Sequence, residues 1–519
     1  MVSGPPRPVR FRLGLRDVYG LLIYIGIALA LSSLVPAHTV DRMQRRALFA
    51  VGLVAVWRYL WWLTHAVRAM LYRFVLFPRL RRRADQLWDA GWRPRVVYFM
   101  VTTFKENRET TEQVFESILA ECRSIGAPAR VYVGTGDRSD ERILSEYVAR
   151  HSHGQDLEVV IVRQSRLGKR NAIGLTLRAI SRGGAAGNDP VVFMDGDCIL
   201  ESGFLRKVLP LFPARPGLDA VTTAERAIVH GPEWMRTWLD LRFSQRHVTM
   251  QSHSVSGKVL TLTGRCSVFR AADVVQEDFI RMVEDDSLDH WLWGRIQFLS
   301  GDDKSTWYSL LKKPGGSTML YVPDAVAYTI ERVAGSGLAR MRFNLLRWSG
   351  NLLRNGARAA RLGPRQIGGF IWWCIMDQRI AMWTGLVGPV AVVLNLCFGD
   401  PGFVVAYAAW ILWTRLLVSV PLYVYAGRID ARFPLFMYAN QVVNSVIKVY
   451  LQFRPATQRW LNRGDQRSGP AVTPLFRFQG AMATYLALLA VVVFALAIGL
   501  FIGVIQAPSK YTLGAFMGR

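Results

Sequence analysis

Apolar runs long enough to cross a bilayer stand at both ends of this 519-residue chain, and none interrupts the long stretch between them. Lipid offers no partner for an unsatisfied backbone N–H or C=O, so a spanning helix needs about 20 mostly apolar residues in one run. Five runs qualify, near 18–36, 47–67, 379–398, 402–426 and 480–506. A sixth, 434–452, carries Asn440, Gln441, Asn444 and Lys448 at helical spacing, which predicts a helix lying in the interface instead of crossing it. The chain is expected to divide into an N-terminal membrane region 1–75, a soluble domain 95–335, an interfacial segment 336–378 and a C-terminal membrane region 379–519.

Arginines set the expected orientation. Arg7, Arg10, Arg12 and Arg16 precede the first run, and Arg79, Arg81, Arg82 and Arg83 follow the second, so both flanks are predicted to be cytoplasmic. Arg42, Arg45 and Arg46 in the loop between those runs oppose that assignment in part. Arg428, Arg432, Arg454, Arg459, Arg463 and Arg467 return to the cytoplasm if 434–452 does not cross, and the last run then carries the C-terminus outward. Arg379 and Arg415 fall inside apolar runs; burying charge in lipid is costly, so they are expected to face a polar path or to snorkel to headgroups.

The net charge of +26 suits nucleic acid, anionic lipid or an anionic substrate, and alone it selects none. With membrane segments present, lipid and an anionic substrate are the expected partners, and nucleic acid is not. Cys122, Cys198, Cys266, Cys374 and Cys397 show no C-x-x-C and no histidine at zinc spacing, which argues against a metal framework or a disulfide scaffold.

Residues 95 to about 335 alternate short apolar runs with polar helical stretches, an α/β pattern. The runs 96–101, 131–133, 159–162 and 191–194 read as parallel strands buried on both faces, and such sheets bind ligands at the carboxyl ends of their strands. Met194-Asp195-Gly196-Asp197 places two carboxylates, separated by glycine, at one such end, a spacing suited to Mg²⁺ or Mn²⁺ on a diphosphate. Gly168-Lys169-Arg170 puts two cations at a loop-to-helix junction, where backbone N–H groups and positive charge favour phosphate. The segment from Thr102 through Thr103 and Glu106 to Asn107 ends the first strand, where an acid can bond a nucleoside or a residue can cap a helix. Gly301-Asp302-Asp303-Lys304 supplies paired carboxylates, one of which can take the proton of an attacking hydroxyl; the alternative is a helix cap.

These motifs, together with Thr263-Gly264-Arg265-Cys266-Ser267 and Arg347-Trp348, resemble in kind and order the processive family 2 glycosyltransferases, which include the cellulose, chitin and hyaluronan synthases. Within that group the stretches 245–247, 260–265, 286–291, 301–307 and 377–384 are most similar to the alginate polymerase, or mannuronan synthase, family. The resemblance implies an α/β GT-A-type glycosyltransferase domain inserted between N- and C-terminal transmembrane helices. It implies polymerisation of mannuronic acid from GDP-mannuronate into β-1,4-polymannuronate, coupled to passage through the inner membrane.

By that resemblance Asp197 ligates the metal, Asp195 contacts metal or nucleotide, Lys169 and Arg170 hold the nucleotide, and Asp303, with Asp302 beside it, is the base. Arg347 and Trp348 close the site. The family's Q-x-x-R-W stands here as Asn344-Leu345-Leu346-Arg347-Trp348, and its acidic pair after the second strand is replaced by a displaced candidate, Asp137. Charge and order make Arg265 and Lys304 candidates for a uronate carboxylate. The tail after residue 470 shows no regulatory domain, so the resemblance implies a separate co-polymerase or cyclic-dinucleotide receptor. Two alternatives share the motifs: a UDP-sugar-dependent glucan, chitin-like or hyaluronan-like synthase, and a non-processive lipid-linked glycosyltransferase.

Overall fold

A computed structural model of the chain describes residues 14–40, 45–151, 157–164, 168–333, 335–460, 466–468 and 473–506. Arg7, Arg10, Arg12, Arg42 and Arg463, which enter the expected orientation, lie outside those residues. The chain divides into two compact units, one chiefly His65–Asp377 and the other chiefly Gln378–Arg454 with apolar helices from both ends of the sequence.

In the first unit the four expected strands form as β1 (Val97–Thr102), β2 (Ala129–Thr135), β3 (Leu157–Arg163) and β4 (Pro190–Asp195), all paired in parallel. They are followed by β5 (Cys198–Leu200), β6 (Leu218–His230), β7 (Cys266–Arg270), β8 (Ser287–His290), β9 (Gly294–Gln297) and β10 (Thr318–Arg332). The main sheet has the order β3-β2-β1-β4-β7-β6-β10-β5, and β8 pairs with β9 in a separate two-stranded sheet. Beyond β4 the sheet is mixed, because β7 runs antiparallel to both β4 and β6.

Every residue of β1 is buried, which explains its unbroken apolar run. Val97, Phe99 and Val101 join one core with Val114, Phe115 and Ile118 of the helix Arg108–Ile125. Tyr98 turns to the opposite face, where its hydroxyl donates to the Gly183 carbonyl at 3.4 Å. Each such apolar side chain contributes about 1.5–3 kcal/mol by leaving water. The helix Arg108–Ile125 starts where Asn107 accepts the Thr110 N–H at 2.8 Å and stops at Gly126, whose φ of +61° few other residues adopt. The cap at this corner is thus Asn107, not Glu106.

Among the described residues, four helices are long and apolar enough to cross a membrane: Leu15–Ser33, Gly369–Phe398, Gly402–Ala426 and Pro474–Ile502. The run near 47–67 forms the helix Arg45–Leu71, which is not among those four. The run 434–452 lies in the helix Arg432–Phe453. Leu22, Ile23, Leu417, Val424, Leu488 and Val493 are exposed, a kind of surface that water-soluble proteins rarely present in quantity and that lipid covers at no cost. Within the second unit Ala50, Ala391, Phe403, Ile498 and Ile502 pack together. Arg415 holds its guanidinium 5.9 Å from the Tyr59 ring, and Arg379 is half-buried. All five cysteines are free.

Candidate active site

Strand register assembles the site. Thr102 of β1 stands level with Gly134 of β2 and with Asp195 of β4, so three carboxyl ends share one edge. The Gly196 N–H donates to the Thr102 carbonyl at 2.8 Å, and a Cβ on Gly196 would meet the Thr103 Cβ at 2.8 Å. Glycine between Asp195 and Asp197 is therefore demanded by the packing of β4 against the end of β1. The antiparallel β7 brings its own start to the same edge, where the Asp195 N–H reaches the Arg265 carbonyl at 3.4 Å.

Lys169 opens the helix Lys169–Arg182 directly after Gly168, whose φ of +136° favours glycine. Its Nζ lies 2.6 Å from Asp195 Oδ1 and 2.9 Å from Asp302 Oδ2. Gly264 covers this trio: a Cβ there would come within 3.1 Å of Lys169 Nζ and 3.2 Å of Asp302 Oδ2. Lys169, Asp195, Gly264, Asp302 and Asp303 line one cleft. Motifs far apart in sequence thus meet around a single ammonium.

Electrostatics separate the carboxylates. Burial, with Asp197 and Asp302 nearby, pushes Asp195 up to about 6 despite the pull of Lys169. Burial also opposes ionisation of Asp302, but Lys169 and Arg170 outweigh it and hold that carboxyl below the ordinary range. Asp303 goes the other way, raised by burial and by repulsion from Asp302. Its Oδ2 accepts from the Thr261 hydroxyl at 3.3 Å. The raised Asp195 marks negative charge that Lys169 alone does not neutralise. Asp195 and Asp197, hard oxygen donors flanking a close-packed glycine, fit Mg²⁺ or Mn²⁺.

Three expected nucleotide contacts have partners within the protein. Arg170 is buried with its guanidinium donating to the carbonyls of Val283 (2.7 Å) and Ser300 (3.0 Å) and to the Ser305 hydroxyl (3.0 Å). It is bound into the interior, because the helical turn that aims Lys169 at the cleft carries its neighbour inward. Asp137 accepts from the Ser139 N–H at 2.8 Å, and the Ser139 hydroxyl lowers its pKa, so it caps the following helix. The Glu106 N–H donates to Asp140 Oδ1 at 3.1 Å. Asp140 itself, which sequence reasoning passed over, is fully buried and also takes the Lys105 N–H at 2.8 Å. Thr103 is buried beside Gly196.

A cationic wall lies next to Asp303. Arg265 and Arg246 both pair with the buried Glu225, Arg265 at 3.0 Å, and together they outweigh its burial and hold it at about 2. Lys304 donates to the Leu260 carbonyl and stands 5.1 Å from the Trp307 ring centre; burial lowers it to about 8. Trp348 stacks on Trp238, with ring centres 5.8 Å apart and planes 12° from parallel, and Arg242 lies 5.1 Å over Trp348. Burial lowers Arg347, as does repulsion from Arg265 and Arg340.

The helix Gly337–Arg361 braces the start of the helix Asp302–Lys312. Asp286, almost fully buried, accepts from both terminal nitrogens of Arg358, one at 2.6 Å, and from the Ser305 hydroxyl. Asn351 accepts from the Ser300 hydroxyl at 3.0 Å and from Arg354 at 2.6 Å. Asn351, Arg354 and Arg358 recur at helical spacing from Arg347, the one signal available in sequence.

Carboxylates at the strand ends, a lysine at a helix N-terminus and an aromatic-lined cationic wall define an enzyme that transfers a sugar from an activated donor. A family model described as glycosyltransferase like family 2 matches residues 94–351. The chain is 36% identical to Glycosyltransferase alg8 of Pseudomonas syringae pv. tomato, over 92% of this chain and 95% of that one. It is 34% identical to Glycosyltransferase alg8 of Azotobacter vinelandii, over 87% and 91%. Among solved structures, the mannosyltransferase PcManGT from Pyrobaculum calidifontis aligns at 17% identity and a TM-score of 0.46, covering 74% of this chain and 99% of that one. The chain belongs to the Glycosyltransferase alg8 family within the family 2 glycosyltransferases.

Proposed function

We propose that this enzyme polymerises mannuronic acid from GDP-mannuronate into β-1,4-polymannuronate, the alginate precursor, and passes the chain through the inner membrane from a cytoplasmic catalytic domain. The observation that carries the reading is a surplus of partly buried positive charge beside Trp348. Glu225 is shared by Arg246 and Arg265, and Glu331 is taken by Arg340 at 2.6 Å. Arg242 has no carboxylate partner among the described residues, and burial alone lowers it to about 10. Desolvating a cation without an anion is unfavourable, so this wall suits an anionic sugar chain better than a neutral one.

Each residue then has a task. Asp195 and Asp197 would hold Mg²⁺ or Mn²⁺, which when bound neutralises charge on the donor diphosphate. Lys169 adds positive charge at a helix N-terminus beside the same phosphates. Asp303, the more basic of the paired carboxylates, takes the proton of the acceptor hydroxyl as its oxygen attacks the anomeric carbon and the bond to the diphosphate breaks. Asp302 is the poorer base because Lys169 stabilises its charge; it positions Lys169. The Trp348 face carries a sugar ring, and Arg242, Arg265, Lys304 and Arg347 meet carboxylates of donor and acceptor. A separate co-polymerase or cyclic-dinucleotide receptor completes the proposed assembly.

Titrating detergent-solubilised protein with GDP and with UDP, each with Mn²⁺, tests this reading. Tighter binding of GDP is expected. A preference for UDP would move the enzyme to the glucan, chitin or hyaluronan class.

A further inference from the structure

Outside the transfer site, the fold gathers His65, His253 and Cys374, all buried, with one ligand atom of each within 4.8 Å of the others. They come from the helix Arg45–Leu71, the last turn of the helix Glu233–Ser254 and the second turn of the helix Gly369–Phe398. The imidazoles meet edge to face, with ring centres 5.4 Å apart and planes at 85°. His65 Nδ1 lies 2.9 Å from the Ser252 hydroxyl, the kind of hydrogen bond at one ring nitrogen that orients a metal-ligating imidazole. His253 Nδ1 is buried and has no hydrogen-bond partner among the described residues, a state that a bound cation would relieve. The neighbouring Arg68 is engaged with the Ser252 carbonyl, the Ser256 hydroxyl and the Phe370 ring.

We propose that His65, His253 and Cys374 bind a zinc ion that ties these three distant segments together. Two imidazoles and a thiolate select a borderline-soft d¹⁰ cation over the oxygen-seeking Mg²⁺ or Mn²⁺ that suits Asp195 and Asp197. Binding replaces the Cys374 S–H bond by a sulfur–zinc bond, and the proton leaves to solvent; both histidines bind neutral. Cysteine and histidine spacing in the sequence argued against a metal framework, and these ligands meet only through tertiary packing.

The test is elemental analysis of the full chain purified in detergent without chelator, followed by exchange of the metal for Co²⁺. About one zinc per chain and a thiolate-to-cobalt charge-transfer band are expected, with both lost in Cys374→Ser and zinc lost in His253→Ala. GDP binding at the transfer site reports that each variant is folded. Wild-type protein that holds no zinc and takes up Co²⁺ without the band overturns the proposal whatever the variants do. Copper in place of zinc overturns it also, as does Cys374→Ser that keeps its zinc.

Discussion

The Lys169 ammonium lies 2.6 Å from Asp195 Oδ1, joining the first residue of one helix to the last residue of β4. The same nitrogen reaches Asp302 at 2.9 Å, so one cation sets the spacing between the donor edge and the helix start that carries Asp302 and Asp303. Lys169→Met leaves two carboxylates facing each other. Lys169 and Asp195 keep 20% and 28% exposure, so the loss of stability should fall below that of a fully buried pair, at about 2 kcal/mol. Thermal melts should show it, and GDP affinity should drop about tenfold.

Asp303→Asn should bind GDP with Mn²⁺ as the wild type does, yet make no polymer, a loss of at least about 10²-fold. Donor binding lost together with activity would assign Asp303 a structural role. Because burial and Asp302 raise Asp303, and the base acts only when deprotonated, the acid limb of kcat/KM should lie above the ordinary aspartate range. A limb at the ordinary value would count against Asp303 as the base.

Lys304 is lowered to about 8 by burial, against the pull of Asp303 and with repulsion from Arg246. If its ammonium meets the uronate carboxylate, that contact is present below pH 8 and fades above it. KM for GDP-mannuronate should therefore rise as pH passes 8, and Lys304→Arg, which keeps its charge, should abolish the rise. Lys304→Met that retains full use of the uronate donor would remove this role from Lys304.

Arg242→Gln removes a cation from above Trp348 without touching the donor edge. GDP affinity should be unchanged, while product chains shorten and the dependence of elongation on salt weakens. Equal product lengths on a gel would show that the cationic wall does not hold the polymer.

Arg358→Met strips the partner from the buried Asp286 carboxylate and should cost about 3 kcal/mol in thermal stability. The helix start bearing Asp302 and Asp303 should loosen with it, lowering kcat more than donor affinity. Replacing Asp286 as well should recover part of the stability, since the stranded charge is then gone.

Local residue chemistry was a sound guide wherever neighbours in sequence are neighbours in space. The four parallel strands, the Asp-Gly-Asp turn and the loop-to-helix entry at Lys169 all stand where their runs and glycines predicted. Arg170 and Asp137 illustrate the limit. A basic pair reads as two phosphate ligands, yet a helix sends successive side chains in different directions, and Arg170 holds the Val283 and Ser300 carbonyls instead.

The sequence by itself determined the apolar helices, the α/β pattern and the residues of the donor edge, because periodicity and turn chemistry are local. Only the tertiary structure decided which charges meet. Pairing of Asp286 with Arg358, sharing of Glu225 by Arg246 and Arg265, and the convergence of His65, His253 and Cys374 all depend on how strands, loops and helices pack. That packing brings together groups with no fixed spacing along the chain, and burial then amplifies the interaction between them.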